Sequence, residues 1–343
     1  MRGVVLVGDR QVEIREFADP RPGPGEVVVR VKASGICGTD LHPYRAPASE
    51  RAAAGLNISG HEPCGVVAAV GDGVPEHVAR VGDRVVVHHY RGCGVCKHCR
   101  VGYTQMCLRG HKGYGLRDDG GNADYILVGA ETLVGLPDEL TFAEGAAIAC
   151  GTGTAYSALK RLGVSGRDTL AVFGQGPVGL SATLLGRAMG AGVLAVDVVP
   201  DRLALARELG ADAAIDASRE DAVEAIRALT GGEGADAALD CTGNPEARVG
   251  AVRCARSWGR VCFVGLGNPA TFDVNRDIIN KQLTLHGSWT FSTVGLEECA
   301  RFVVDRGVPL RKMITGEFRL DQAAEAFRLF DAGVAGKCVF VLT

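Results

Sequence analysis

The sequence predicts an α/β chain in two parts, a small antiparallel β-barrel or sandwich followed by a doubly wound parallel sheet. Three observations predict it. Short β-branched runs separated by Gly, Pro and Asp turns fill residues 1–150. From about Thr152, apolar strands of about five residues alternate with helical stretches. A G-x-G-x-x-G turn joins the first of those strands to the first of those helices.

In the first part, 27–31, 66–70 and 85–87 read as strands. In the second, 169–173, 193–197, 236–240 and 260–264 read as strands, and 178–189 and 202–209 as helices. A helix over 294–306 and a strand over 338–342 remain, and they are expected to return to the first part. The predicted domains are therefore 1–150, 151–288 and the returning 289–343.

At 343 residues, 47% hydrophobic and 22% charged, the composition suits a globular protein with a substantial core. The net charge of -3 comes from both signs spread along the chain, with no block suited to nucleic acid. The opening apolar run is too short for a signal peptide, and 178–199 is broken by Arg187 and several glycines. These features predict a cytoplasmic protein without a membrane span.

Cys93, Cys96, Cys99 and Cys107 share one window with the spacing C-x2-C-x2-C-x7-C. Two-residue gaps let neighbouring thiolates close on one tetrahedral zinc, and four thiolates leave no open position. The lobe at about 91–111 therefore reads as a structural zinc site, with His98 able to replace one cysteine. A ferredoxin run would close with a shorter gap and a proline, whereas Leu108 follows Cys107. Disulfides are disfavoured in a cytoplasmic chain. Cys64, Cys241, Cys254, Cys262, Cys299 and Cys338 read as reduced, mostly buried thiols.

Gly174-Gln175-Gly176-Pro177-Val178-Gly179 supplies the glycine-rich turn. Gly174 permits the tight turn, Gly176 a close approach of pyrophosphate, and Gly179 close helix–sheet packing. The helix N-terminus offers free N–H groups to phosphates. Asp197 ends the next strand, where a carboxylate accepts from ribose hydroxyls and repels a 2′-phosphate. NAD is thus expected over NADP.

Cys37, His61 with Glu62, and Cys150 lie far apart in sequence. Two thiolates and one imidazole would leave a fourth tetrahedral position open, the arrangement of a catalytic zinc. Spacing alone does not assemble them.

Five motifs occur in one order along the full length: Cys37-Gly38-Thr39-Asp40-Leu41-His42, Gly60-His61-Glu62, the four-cysteine lobe, Cys150, and the Gly174–Gly179 turn. In them the chain resembles the zinc-dependent medium-chain alcohol and polyol dehydrogenases. The resemblance implies a GroES-like β-barrel catalytic domain, a Rossmann domain and an active site in the cleft between them. It makes Cys37, His61 and Cys150 catalytic zinc ligands and Glu62 a neighbouring carboxylate able to approach the metal. It implies that Asp40 orients the ligand histidine, that Thr39 takes the alcohol proton, and that His42 passes it outward by way of the cofactor ribose. Thr154 and Val178 would contact the nicotinamide, and the backbone near Gly265 and Leu266 its carboxamide. Pro177 and Arg202 join the cofactor set, and Lys337 is a possible phosphate contact.

His89 and Tyr90 precede the lobe where the family's substrate wall runs, and Trp289 and Thr290 could supply another wall. Such polar residues suggest a substrate with more than one polar group, a polyol, sugar alcohol, cyclitol or hydroxy amino acid. The alternatives are that 88–90 point away from the cleft and that the protein is a simple-alcohol dehydrogenase. The family implies two zinc ions per chain, small-molecule alcohol or carbonyl substrates, and a homo-oligomer, a tetramer or dimer. The rivals are a zinc-free quinone-type reductase and a non-enzymatic zinc module. The second would need the basic residues Arg91, Lys97, Arg100, Arg109 and Lys112 to form one face.

Overall fold

The computed structural model describes all residues, Met1–Thr343. They form two compact units. The first comprises Met1–Cys150, Ser292–Asp305 and Ile314–Thr343, and the second Gly151–Phe291 and Arg306–Met313. No helix is long and apolar enough to cross a membrane.

The first unit opens with nine strands. They are β1 (Arg2–Gly8), β2 (Gln11–Glu16), β3 (Glu26–Gly35), β4 (Pro63–Val70), β5 (Arg84–Val87), β6 (Tyr90–Arg91), β7 (Lys112–Gly113), β8 (Tyr125–Gly129) and β9 (Leu133–Gly135). The second unit holds β10 (Thr169–Phe173), β11 (Gly192–Asp197), β12 (Ala213–Asp216), β13 (Ala235–Asp240), β14 (Ala255–Phe263) and β15 (Thr284–Gly287). The chain then returns to the first unit through β16 (Ile314–Phe318) and β17 (Lys337–Val341).

The first unit is organised around β3, a long strand of alternating pattern. One edge pairs with β4, and the other pairs first with β8 and then with β17. Register shifts after Val28 and Val31 bend the strand, which lets one strand serve two layers. The seven-stranded sheet runs β16-β17-β3-β4-β5-β9, with β8 on β3, and all pairs but β16·β17 are antiparallel. Val27, Val29 and Val31 face the core with Val67, Val85, Val87, Ile126 and Val128. Each such burial stabilises by about 1.5–3 kcal/mol relative to exposure. Helix Ala323–Asp331 covers this core with Ala323, Ala326, Phe327 and Phe330, one face at helical spacing.

The second unit is a six-stranded parallel sheet of order β12-β11-β10-β13-β14-β15. Counted from β10, this is the dinucleotide-binding order 3-2-1-4-5-6, and the order reverses between β10 and β13. The predicted elements of this part all form, with ends displaced by a few residues. The largest displacement is at β14, which begins at Ala255 where the sequence pattern suggested 260. After the buried Ala255, Arg256 is half-buried and Ser257 and Trp258 are exposed, so this stretch does not read as a buried apolar strand.

Candidate active site

Strand register brings the distant ligands together. Ser34 lies opposite Pro63 across β3 and β4, and the Gly35 N–H donates to Glu62 O at 3.2 Å. The chain therefore leaves β3 at Cys37 beside the point where His61 leads into β4. Gly60 makes the turn before His61 at φ +91°, and a Cβ there would stand 2.3 Å from the Asn122 side chain. Asn122 accepts from Ser34 Oγ at 2.7 Å and donates to Ser59 Oγ at 3.0 Å, tying that turn to β3. Cys150 sits in a π-helical turn, Ile148–Thr152, continuous with helix Phe142–Ala147, which packs on β3 and β4. Single π turns are frequent at functional sites.

Cys37, His61, Glu62 and Cys150 are all buried, and each offers one ligand atom within 4.8 Å of the others. Asp40 organises two of them. Its Oδ2 accepts from the Cys37 N–H at 2.8 Å and its Oδ1 stands 3.1 Å from His61 Nδ1. With Nδ1 engaged, His61 presents Nε2 to the centre. Burial works to lower the His61 pKa, but Asp40 and Cys37 outweigh it, and the ring is held well above its usual range. A hydrogen bond with Cys150 holds the Cys37 thiol well below its usual range and pushes Cys150 up. Burial pushes Glu62 up to about 7, against the pull of Lys337. Glu62 Oε1 is buried without a hydrogen-bond partner. Two thiols, one imidazole and an orphaned carboxylate oxygen fit a zinc ion with an open fourth position.

Thr39 and His42 are exposed at the edge of this group. Thr39 Oγ1 lies 3.8 Å from Cys37 Sγ. Both residues line a cavity of about 380 Å³ with Asp40, Pro43, Arg51 and Leu116. A hydroxyl beside the ligand set and an imidazole facing solvent suit a proton path outward.

His89 stands beside the ligand His61 with Tyr90 packed on it, whereas His88 turns to the backbone. His88, His89 and Tyr90 are all buried. The His89 ring stands 5.2 Å from that of His61, edge to face, and 4.5 Å from that of Tyr90. Burial and the neighbouring histidines hold His89 well below its usual pKa, so it is a neutral ring. His88 Nδ1 instead meets Tyr90 O at 3.1 Å and serves the backbone. Burial pushes Tyr90 up to about 12. Trp289 belongs to the second unit and is about half exposed.

The Sγ atoms of Cys93, Cys96, Cys99 and Cys107 also lie within 4.8 Å of one another. Cys107 Sγ accepts from the N–H groups of Cys93 and Arg109, at 3.3 and 3.4 Å. Backbone N–H groups of Leu108 and Cys99 pull the Cys96 pKa down to about 6. Burial pushes Cys99 up to about 12, and it is the convergence of the four sulfurs that fits a four-sulfur zinc site. His98 takes no place in the cluster. Arg91 is drawn inward between Glu26 and Glu131, at 3.1 and 2.8 Å, and so does not join a basic face.

The glycine-rich turn sits at the C-terminal end of β10, beside the switch point. A Cβ on Gly179 would lie 1.7 Å from Gly174 O, whereas one on Gly176 would meet nothing within 4 Å. The first is packed and the second opens on free space at the start of helix Pro177–Ala188, where a phosphate fits. Asp197 Oδ2 accepts from the Gln175 N–H at 2.5 Å, and its Oδ1 from Val198 and Val199 at 2.8 and 2.9 Å. The carboxylate is thereby locked at the tip of β11. Arg202 Nε is buried without a hydrogen-bond partner, an orphan donor that a ribose or phosphate oxygen would satisfy. Thr154 is buried, Val178 half-buried and Leu266 exposed. Gly265 already uses both backbone groups: its N–H donates to Asp240 O, and its C=O accepts from Arg248 at 2.7 Å.

One residue escaped sequence reading and another was misplaced by it. Arg248 pins the Gly265 loop, and nothing in its helix marks it apart from other surface arginines. Lys337 was expected at a phosphate and is instead buried in the first unit, ion-paired with Glu62. The register explains the correction: Val339 pairs with Gly35, which places Lys337 across from Cys37. A lysine opening an apolar strand was the one available sign.

Two family models match the chain, the alcohol dehydrogenase GroES-like domain over residues 23–138 and the zinc-binding dehydrogenase over residues 177–305. The chain is 40% identical to an uncharacterized zinc-type alcohol dehydrogenase-like protein of Escherichia coli strain K12, covering 99% of this chain and 98% of the relative. It is 35% identical to the L-threonine 3-dehydrogenase of Pyrococcus horikoshii, covering 96% and 95%. Among solved structures it is similar to the alcohol dehydrogenase TADH from Thermus sp. ATN1, with a TM-score of 0.89, 31% identity and all of both chains covered.

Proposed function

Because the chain belongs to the zinc-type alcohol dehydrogenases, oxidoreductases of CH–OH groups that use zinc and a nicotinamide dinucleotide, we propose an NAD-dependent dehydrogenase of a substrate bearing several polar groups. The observation that carries this reading is the buried cluster of Cys37, His61, Glu62 and Cys150 with His89 set against His61. When bound, zinc supplies Lewis-acid polarisation of the substrate oxygen and the nicotinamide supplies the hydride acceptor or donor.

The remaining work falls to the chain. Cys37, His61 and Cys150 hold the catalytic ion, and Cys93, Cys96, Cys99 and Cys107 hold a structural one, two per chain. Asp40 orients His61. Thr39 accepts the alcohol proton, and His42 delivers it towards solvent. Gly174, Gly176, Pro177, Val178 and Gly179 seat the pyrophosphate. Asp197 and Arg202 take the adenosine ribose, and the fixed negative charge of Asp197 disfavours a 2′-phosphate. Thr154, Val178, Gly265 and Leu266 border the nicotinamide.

His89 supports the polar substrate. Its buried imidazole stands 5.2 Å from the ring of His61, so a substrate held at the metal would bring a second hydroxyl or an amino group towards it. A threonine-type hydroxy amino acid and a polyol both satisfy that chemistry. The protein acts in the cytoplasm, as a homo-oligomer. An NAD-reduction screen of zinc-loaded protein over simple alcohols, polyols, cyclitols and hydroxy amino acids tests the reading. Preference for a simple primary alcohol would remove the polar-substrate assignment.

A further inference from the structure

We propose that Lys337 is a positioning residue that holds Glu62 away from the catalytic ion and so keeps the fourth coordination position for substrate. The inference rests on the ligand reading given above.

Glu62 is within reach of becoming a fourth ligand. Its oxygen lies within 4.8 Å of the ligand atoms of Cys37, His61 and Cys150. A shell of two sulfurs, one nitrogen and one carboxylate oxygen would be complete, and a complete shell is structural, not catalytic. Something has to draw the carboxylate the other way.

Lys337 is placed to do so. Lys337 is 1% exposed and Glu62 is fully buried. A lysine this deep is rare unless paired. Its Nζ lies against Glu62 Oε2 and also donates to Ile36 O at 2.9 Å, which anchors the ammonium. The meeting place is built into the sheet. Gly35 of β3 lies between Glu62, which leads into β4, and Lys337, which opens β17. A Cβ on Gly35 would overlap Glu62 Oε2 and stand 2.9 Å from Lys337 Cε, so glycine alone leaves the seat empty.

Charge favours the ammonium. A divalent ion with two thiolates is neutral at the centre, whereas Lys337 presents a whole positive charge at contact. Without that charge, the buried carboxylate either takes up a proton or binds the ion, and the open metal position beside it favours binding.

Cobalt(II) exchanged for zinc reports coordination number in its visible absorption bands. Bands lost in Cys37→Ser belong to this ion. The wild type and Glu62→Gln should share one spectrum. Lys337→Met should shift it, and Lys337→Met with Glu62→Gln should restore it. Imidazole binding at the open position should weaken about ten- to a hundredfold in Lys337→Met and recover in the double variant. A Lys337→Met spectrum like wild type, or a shift that persists in the double variant, would leave Lys337 a packing residue and overturn the proposal. If Lys337→Met does not fold, Gly35→Ala crowds the carboxylate's seat and the end of the Lys337 stem together, breaks their pairing and must give the same shift; an unshifted spectrum there also overturns it. A spectrum insensitive to Cys37→Ser would instead sink the ligand reading itself.

Discussion

Asp40 Oδ1 stands 3.1 Å from His61 Nδ1, and the same carboxylate binds the Cys37 N–H through its other oxygen. One side chain thus fixes the imidazole tautomer and the cysteine backbone together. Asp40→Asn should lower zinc affinity at this site about ten- to a hundredfold, the scale seen for such supporting partners. Titration against a competing chelator measures it. Unchanged affinity would mean that the ligands are held without Asp40.

Asp197 is bound by three backbone N–H groups, so its carboxylate cannot turn away from an incoming ribose. Asp197→Ala should weaken NAD and raise the ratio of kcat/KM for NADP over NAD about tenfold or more, the value of a charged hydrogen bond. Steady-state kinetics with both cofactors decide it. An unmoved ratio would remove Asp197 from cofactor selection.

His89→Phe replaces a buried neutral imidazole with an apolar ring of similar size. Preference for polyhydroxylated or amino-bearing substrates over a simple alcohol should fall at least about tenfold, because the lost partner strands a substrate polar group. The ratio of kcat/KM values across such a panel checks this. A uniform loss for all substrates would make His89 a packing residue.

How much of this was legible in the sequence follows from which interactions are local. The four-cysteine lobe and the Gly174–Gly179 turn are written within a few residues, so spacing carried them. Asp197 was legible because it ends a strand at a fixed offset from that turn. The catalytic set was not local. Cys37 and His61 meet through the β3–β4 register, and Cys150 arrives on a π-helical turn; neither has a spacing signature, and the family resemblance stood in for it. Lys337 was misplaced because its partner is set by the β17–β3 register, which pairs opposite ends of the chain. The inward turn of His89 was open between two readings, since a run of His-His-Tyr in a short connection has no periodicity.

The central claim is that two separate donor sets hold two ions with different tasks. Metal analysis of folded wild type, Cys37→Ser and Cys96→Ser, with turnover and thermal stability measured on the same samples, tests it most directly. Wild type should carry two zinc ions per chain, one for each set. Cys37→Ser should keep the lobe ion and its fold while losing the other ion and turnover. Cys96→Ser should lose the lobe ion and melt earlier. If Cys37→Ser kept both ions and its turnover, or if both variants lost activity only in proportion to lost structure, the division of roles would be contradicted.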